Sequence, residues 1–199
     1  MTGAPGYDFF NLREIVQSIL QHPMDGRTWL AHGLGMVKTY FGKTGRLHVW
    51  DWDALRTDGV RSVHTHPWGL HSTIINGTMF NQRFIPVGER GYPVGEPWKV
   101  RTIECGVGGC VASEDRDAWL YSRPWELYNV GDSYSQLASE VHDSKPTKGC
   151  VTVVRRTKQP GFNQADVYWR DGPFVNAEPR PATEEEVRKA CAVALENWE

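Results

Sequence analysis

The sequence predicts an all-β barrel with one helix at each end. Three observations carry that expectation. Between about residues 40 and 170, short β-branched and aromatic runs are broken by Gly, Pro, Asp and Asn, too closely for alternating β-α units. Near each end, apolar residues instead recur at helical spacing. The length, 199 residues, suits a single domain.

The N-terminal helix is expected over about 11–22, from Leu12, Ile15, Val16, Ile19 and Leu20, with Asp8 or Asn11 as cap. His22-Pro23 ends it. Candidate strands follow at 47–52, 60–66, 71–77, 78–87, 97–104, 118–124, 125–130, 134–139, 150–157 and 165–170. Asn76-Gly77 reads as a hairpin turn, because both residues tolerate positive φ. The C-terminal helix, about 184–198, opens on the capping-box pattern of Thr183 and Glu186. Val187, Ala190, Cys191, Ala194, Leu195 and Trp198 then share one face, which predicts packing against the barrel's exterior.

Net charge is −2, so there is no electrostatic case for nucleic acid or for an anionic membrane surface. No run reaches membrane-spanning length and none resembles a signal peptide, so a cytoplasmic location is expected. Cys105 and Cys110 lack a second pair at zinc-finger spacing and read as two loop thiols.

Three of the seven histidines fall within HTHPWGLH, residues 64–71. On a strand, His64 and His66 leave the same face about 6–7 Å apart, close enough to reach one metal ion. Pro67-Trp68-Gly69 breaks the chain, and His71 opens the next strand. His142, after a strand-like segment, is a further candidate that a barrel could return to the same place. Neutral imidazole suits iron, zinc, copper, nickel and manganese, so ligand type leaves the metal open. His22, His32 and His48 read as ordinary surface or core histidines.

These residues resemble the cupin superfamily, small jelly-roll barrels. Its first motif is G-x5-H-x-H-x3,4-E-x6-G. Here Gly59, His64, His66, His71 and Gly77 follow it with each glycine gap one residue short, and His71 stands at the glutamate position. Its second motif is G-x5-P-x-G-x2-H-x3-N. Gly131 and His142 keep its glycine-to-histidine spacing, while Leu137, Ser139 and Pro146 replace its Pro, Gly and Asn. The resemblance implies a metal held by His64, His66 and His142, with His71 as a fourth ligand in some arrangements. It also implies pairing through an outer sheet, as a homodimer. The metal site is similar to that of cysteine dioxygenase-type thiol dioxygenases, which bind iron with three histidines, but their Ser-x-His-x-Tyr signature is absent around His142. The H-x-HPW core also looks like small cupin-like proteins of phages and bacteria.

A metal-binding cupin with Fe(II), and Zn, Mn or Ni as alternatives, is therefore the expectation. Three imidazoles leave three octahedral positions, enough for a small chelating ligand and O2, which makes a dioxygenase the leading reading. A non-catalytic small-molecule-binding barrel and a metal-dependent isomerase or lyase stay open, the latter with Glu104 or Glu126 as base. Trp68 and Trp50 are candidate substrate walls. Arg83, Arg61 and Tyr134 are candidate carboxylate contacts. Strand parity groups Asn81 and Arg83 with Met79. Glu140 and Asp143 flank His142 as candidates to orient its ring.

Overall fold

The computed structural model describes residues 9–41, 44–60, 62–87, 95–106, 109–175 and 178–198. The first elements are α1 (Phe9–Gln21), β1 (Trp29–His32), β2 (Met36–Phe41), β3 (Gly45–Trp50), α2 (Trp52–Leu55) and β4 (Gly69–Asn76). Next come β5 (Met79–Pro86), β6 (Glu96–Gly106), β7 (Gly109–Ala112) and β8 (Arg116–Tyr128). The chain closes with β9 (Ser133–Gln136), β10 (Val141–Pro146), β11 (Val151–Thr157), β12 (Gln164–Trp169), β13 (Arg180–Pro181) and α3 (Glu184–Glu196).

Two antiparallel sheets pack together in an all-β, barrel-like arrangement with the helices at its flank. One sheet runs β13-β1-β2-β3-β11-β4-β9. The other runs β10-β5-β8-β6-β12, with β7 paired to β6. Alternation along the strands sorts side chains into layers. Val37, Leu47, Val49, Ile75 and Val151 face outward from the first sheet, where Val16, Ile19 and Leu20 of α1 and Val187, Ala190, Cys191 and Ala194 of α3 cover them. Met36, Trp50, Leu70, Ile74 and Val154 face the other way and meet Met79 of β5. A third cluster takes Phe84, Val100, Leu120, Val141 and Tyr168 from five of the six strands of the second sheet, and Val63 from the extended stretch before β4. No described helix is long and apolar enough to cross a membrane.

Several local expectations need correction. Asn76-Gly77 does turn the chain, with Gly77 at φ +70°, but β4 and β5 do not pair. The turn carries the chain from one sheet to the other. Asn76 is buried and donates to the carbonyls of Gly149, Ala194 and Asn197 at 3.1–3.3 Å, which ties the turn to the end of α3. The expected strands 118–124 and 125–130 are one strand, β8. Pro124 interrupts nothing, because β6 pairs with β8 only over 116–120 and the β5 register shifts between Gln82 and Phe84. Asn11 lies inside α1 instead of capping it, and Asp8 is outside the described residues. Cys110 is disulfide-bonded, not a free loop thiol, and its cross-strand neighbour is Cys105.

The capping box of α3 is formed. Thr183 Oγ1 accepts from Glu186 N at 3.2 Å, and Thr183 N donates to Glu186 Oε2 at 2.9 Å. Hydrogen bonding from Arg180, then from the Thr183 backbone, holds the Glu186 carboxyl at about 2. A depressed value stabilises the fold above the ordinary carboxylate range, and that contribution fades as pH falls toward about 2. We expect Thr183→Ala to cost about 1 kcal/mol, or roughly 2–4 °C in melting temperature. The melting-temperature gap between wild type and Glu186→Gln should narrow on acidification below about pH 4.3, followed by circular dichroism.

Candidate metal centre

The stretch before β4 belongs to no regular strand among the described elements, so the expected strand 60–66 does not form, yet its described residues 63–66 are hydrogen-bonded to neighbouring segments. His64 bridges β10 at His142 and β12 at Val167, the two edge strands of the second sheet. His64 N donates to His142 O at 2.9 Å, and His142 N returns a bond to His64 O at 3.0 Å. Tyr168 N donates to Val63 O at 2.9 Å, Thr65 N to Asp166 O at 2.8 Å and His66 N to Ala138 O at 3.2 Å. Directly opposite residues of an antiparallel pair send their side chains to the same face. Val63 and Val141 point into the apolar cluster of the second sheet, so parity sends His64, His66 and His142 the other way, toward the first sheet.

One ring nitrogen from each of these histidines lies within 4.8 Å of the others. Ring centres are 4.6 Å apart for His64 and His66, 4.7 Å for His64 and His142, and 5.1 Å for His66 and His142. His64 Nδ1 is 2.6 Å from the Ser62 carbonyl, which can only accept, so Nδ1 carries the proton and Nε2 keeps its lone pair. His142 Nδ1 is 3.0 Å from Asn81 Oδ1, which also accepts from Ser144 Oγ at 3.1 Å. That contact likewise leaves the His142 Nε2 lone pair directed into the cluster. His66 Nε2 and His142 Nε2 are 3.1 Å apart, a separation that a shared proton or a shared cation can hold.

Burial, and then the neighbouring imidazoles, hold His66 and His142 well below the ordinary histidine value. Burial lowers His64 too, against the Ser62 carbonyl and Asp143, which raise it. All three rings are therefore neutral near pH 7, the form that ligates metal. The 3.1 Å between His66 Nε2 and His142 Nε2 is short enough that both lone pairs could reach one ion. The cluster could hold a metal ion, and its donor set of three imidazoles suits several.

The histidines sit in the wall of a cavity of about 480 Å3 between the sheets. Trp68, Trp50 and Tyr134 line it. Trp68 stacks on His66 with centres 4.3 Å apart and planes 22° from parallel. Tyr134 is buried, and burial pushes its hydroxyl up.

The other candidates lie elsewhere. His71 is on the outward face of β4, exposed, with Nδ1 3.0 Å from Ser135 Oγ. Leu70 and Ser72 take the inward positions, so strand parity removes His71 from the cluster. Arg83 pairs opposite His142, but its guanidinium is drawn away from the cavity. It donates to Ser135 O at 3.1 Å and lies 3.8 and 3.7 Å from Glu126 and Glu140. Arg61 is outside the described residues. Glu140 accepts from Leu137 N at 2.6 Å, and Asp143 points to the opposite face of β10. Neither holds a histidine ring, which is the role of Asn81 and Ser62. Glu104 is bonded to Asn163 and Gln164, Glu126 to Tyr128, and neither lines the cavity.

Among the lining residues that sequence reading did not assign to the cavity are four basic ones: His32, Lys38, Arg46 and His48. A signal was present. In MVKTYF and GRLHVW, Val37, Leu47 and Val49 form one apolar face, which leaves Lys38, Arg46 and His48 on the other face with Met36 and Trp50. The pattern groups Lys38, Arg46 and His48 on one face; that this face is interior is decided by the packing of the two sheets.

No family model matches the chain, and no curated protein matches it in sequence.

We expect His66→Ala to lower bound metal at least tenfold in plasma mass spectrometry, with His71→Ala leaving it unchanged. Asn81→Ala should weaken metal affinity about 10–100-fold in chelator competition, because the His142 ring loses the partner that orients it.

Proposed function

We propose that this protein is a metal-dependent enzyme of cupin type. His64, His66 and His142 hold one divalent ion, Fe(II) foremost with Zn, Mn and Ni as alternatives, for oxygenation of a small chelating substrate. One observation carries the reading: three neutral imidazoles converge in the wall of a cavity sized for a small molecule, without a carboxylate among them. When bound, such an ion supplies Lewis acidity and, as iron, electrons for dioxygen chemistry.

The chain's own residues supply the surroundings. Ser62 and Asn81 fix the tautomers of His64 and His142, so their lone pairs stay directed at one point. Trp68 holds the His66 ring by stacking and, with Trp50, walls the cavity with apolar surface that limits water around a bound substrate. Tyr134, its proton retained by burial, offers a hydroxyl donor on the same wall.

The isomerase or lyase reading needs a general base beside the ion. Glu104 and Glu126 are committed elsewhere, which favours the oxygenase. A non-catalytic binding role would keep the cavity and lose the turnover.

Metal analysis beside oxygen-electrode assays tests the proposal. We expect about one iron per chain, lost in His64→Ala/His66→Ala, and oxygen uptake by the Fe(II)-loaded protein with small thiols or chelating acids. Zinc or nickel with oxygen-independent turnover would move the assignment to an isomerase or lyase. Ligand retention without turnover would make it a binding protein. Absence of metal after reconstitution would overturn the reading.

A further inference from the structure

The cavity has a second polar region. Lys38 on β2 and Arg46 on β3 both face inward. Lys38 pairs opposite His48, and Arg46 opposite Tyr40, so the two cations are diagonal neighbours on one sheet face. Lys38 is only 6% exposed and makes no ion pair or side-chain hydrogen bond among the described residues. Arg46 forms no salt bridge among them either, and its buried Nε lacks a hydrogen-bond partner. Its guanidinium lies over Tyr40 and Trp68, at 5.0 and 4.7 Å from the ring centres. Nearby, His48 Nε2 is also buried without a partner.

Buried cations in proteins are ordinarily paired. Here the only acidic residue among the described lining residues is Glu178, which is exposed. The arginine–carboxylate pairs seen among the described residues include ones on the surface strands and at α3, away from this region. Trp68 joins the two polar regions of the wall, since one ring meets both the His66 imidazole and the Arg46 guanidinium.

We propose that Lys38 and Arg46 form an anion subsite, and that the natural ligand is a small, largely apolar acid whose carboxylate they receive. This rests on the reading of the three-histidine cavity as a substrate site and names the class of substrate it takes. The carboxylate occupies the Lys38–Arg46 region while the rest of the molecule lies along Trp68 and Trp50 toward the histidines. Arg46 offers a planar fork, and Lys38 a point charge. Burial, then Arg46 and Arg156, hold the Lys38 ammonium down to about 7, the mark of a cation without its counter-charge. With a divalent ion among neutral imidazoles, the cavity would carry still more positive charge and select anions more strongly.

Calorimetric titration of the full chain with benzoate, phenylacetate and octanoate, each beside its neutral amide, tests the subsite. Wild type should bind at least one acid tenfold or more tightly than its amide. Lys38→Met, which keeps the unbranched stem, should abolish that preference with metal content unchanged. Arg46→Met should reduce it as well. Equal affinity for acid and amide, an acid preference untouched by both variants, or no binding of any acid at millimolar concentration would overturn the proposal. The same titrations on His64→Ala/His66→Ala separate the two readings. An acid preference that persists there and depends on Lys38 supports the subsite even where the metal reading fails. A metal-loaded wild type without the preference overturns the subsite alone.

Discussion

Two backbone hydrogen bonds between His64 and His142 are the constraint on which the site and the second sheet both depend. They join an irregular stretch to an edge strand, and the same stretch reaches β12 on its other side. The two edges of the second sheet are thereby linked, which removes exposed ladders that would otherwise offer pairing to another chain. The bonds also set side-chain direction. Once His64 stands opposite His142, alternation puts Val63 and Val141 into one apolar cluster and the imidazoles into the cavity. The rings inherit their placement from backbone pairing, so the site is organised by the interactions that close the sheet.

The cavity that follows is electrically unusual. The described residues of its wall include five histidines, a lysine and an arginine, beside three tryptophans and a single acid. Burial keeps the histidines His32, His48, His64, His66 and His142 neutral, each shifted down from its ordinary value. Neutral rings are ligands and hydrogen-bond partners, not competing charges. Arg46 carries the formal charge instead, joined by Lys38 when it is protonated, since burial holds that ammonium down to about 7; one Trp68 ring touches both His66 and Arg46. A wall built this way favours a ligand that brings a negative charge and metal-binding atoms, because both would otherwise remain uncompensated in a low-dielectric space.

Much of the fold was legible because its signals are local. The capping box at Thr183 and Glu186, the apolar face of α3 and most strand positions follow from patterns within a few residues. His64 and His66 were legible as a pair because two-residue spacing alone puts both on one face. His142 was a candidate only because it follows a strand-like segment that a barrel could return to the same place; the spacing from Gly131 that resembles a second motif added to that. Asn76-Gly77 shows the boundary: the dipeptide determined a turn with positive φ, but whether its flanking strands pair depends on β8, β9, β10 and β11, far along the chain.

What the sequence by itself determined, then, is an all-β chain with helices at both ends and a histidine cluster around the Pro67 break. Tertiary structure alone decided which histidines meet, that His71 faces outward, and that Arg83 is taken by Glu126, Glu140 and the Ser135 carbonyl. It alone placed Lys38 and Arg46 in the cavity. The physical reason is that periodicity assigns a side chain to one of two faces of a strand. Which face is the interior, and what stands opposite, is fixed only when distant strands pair in register.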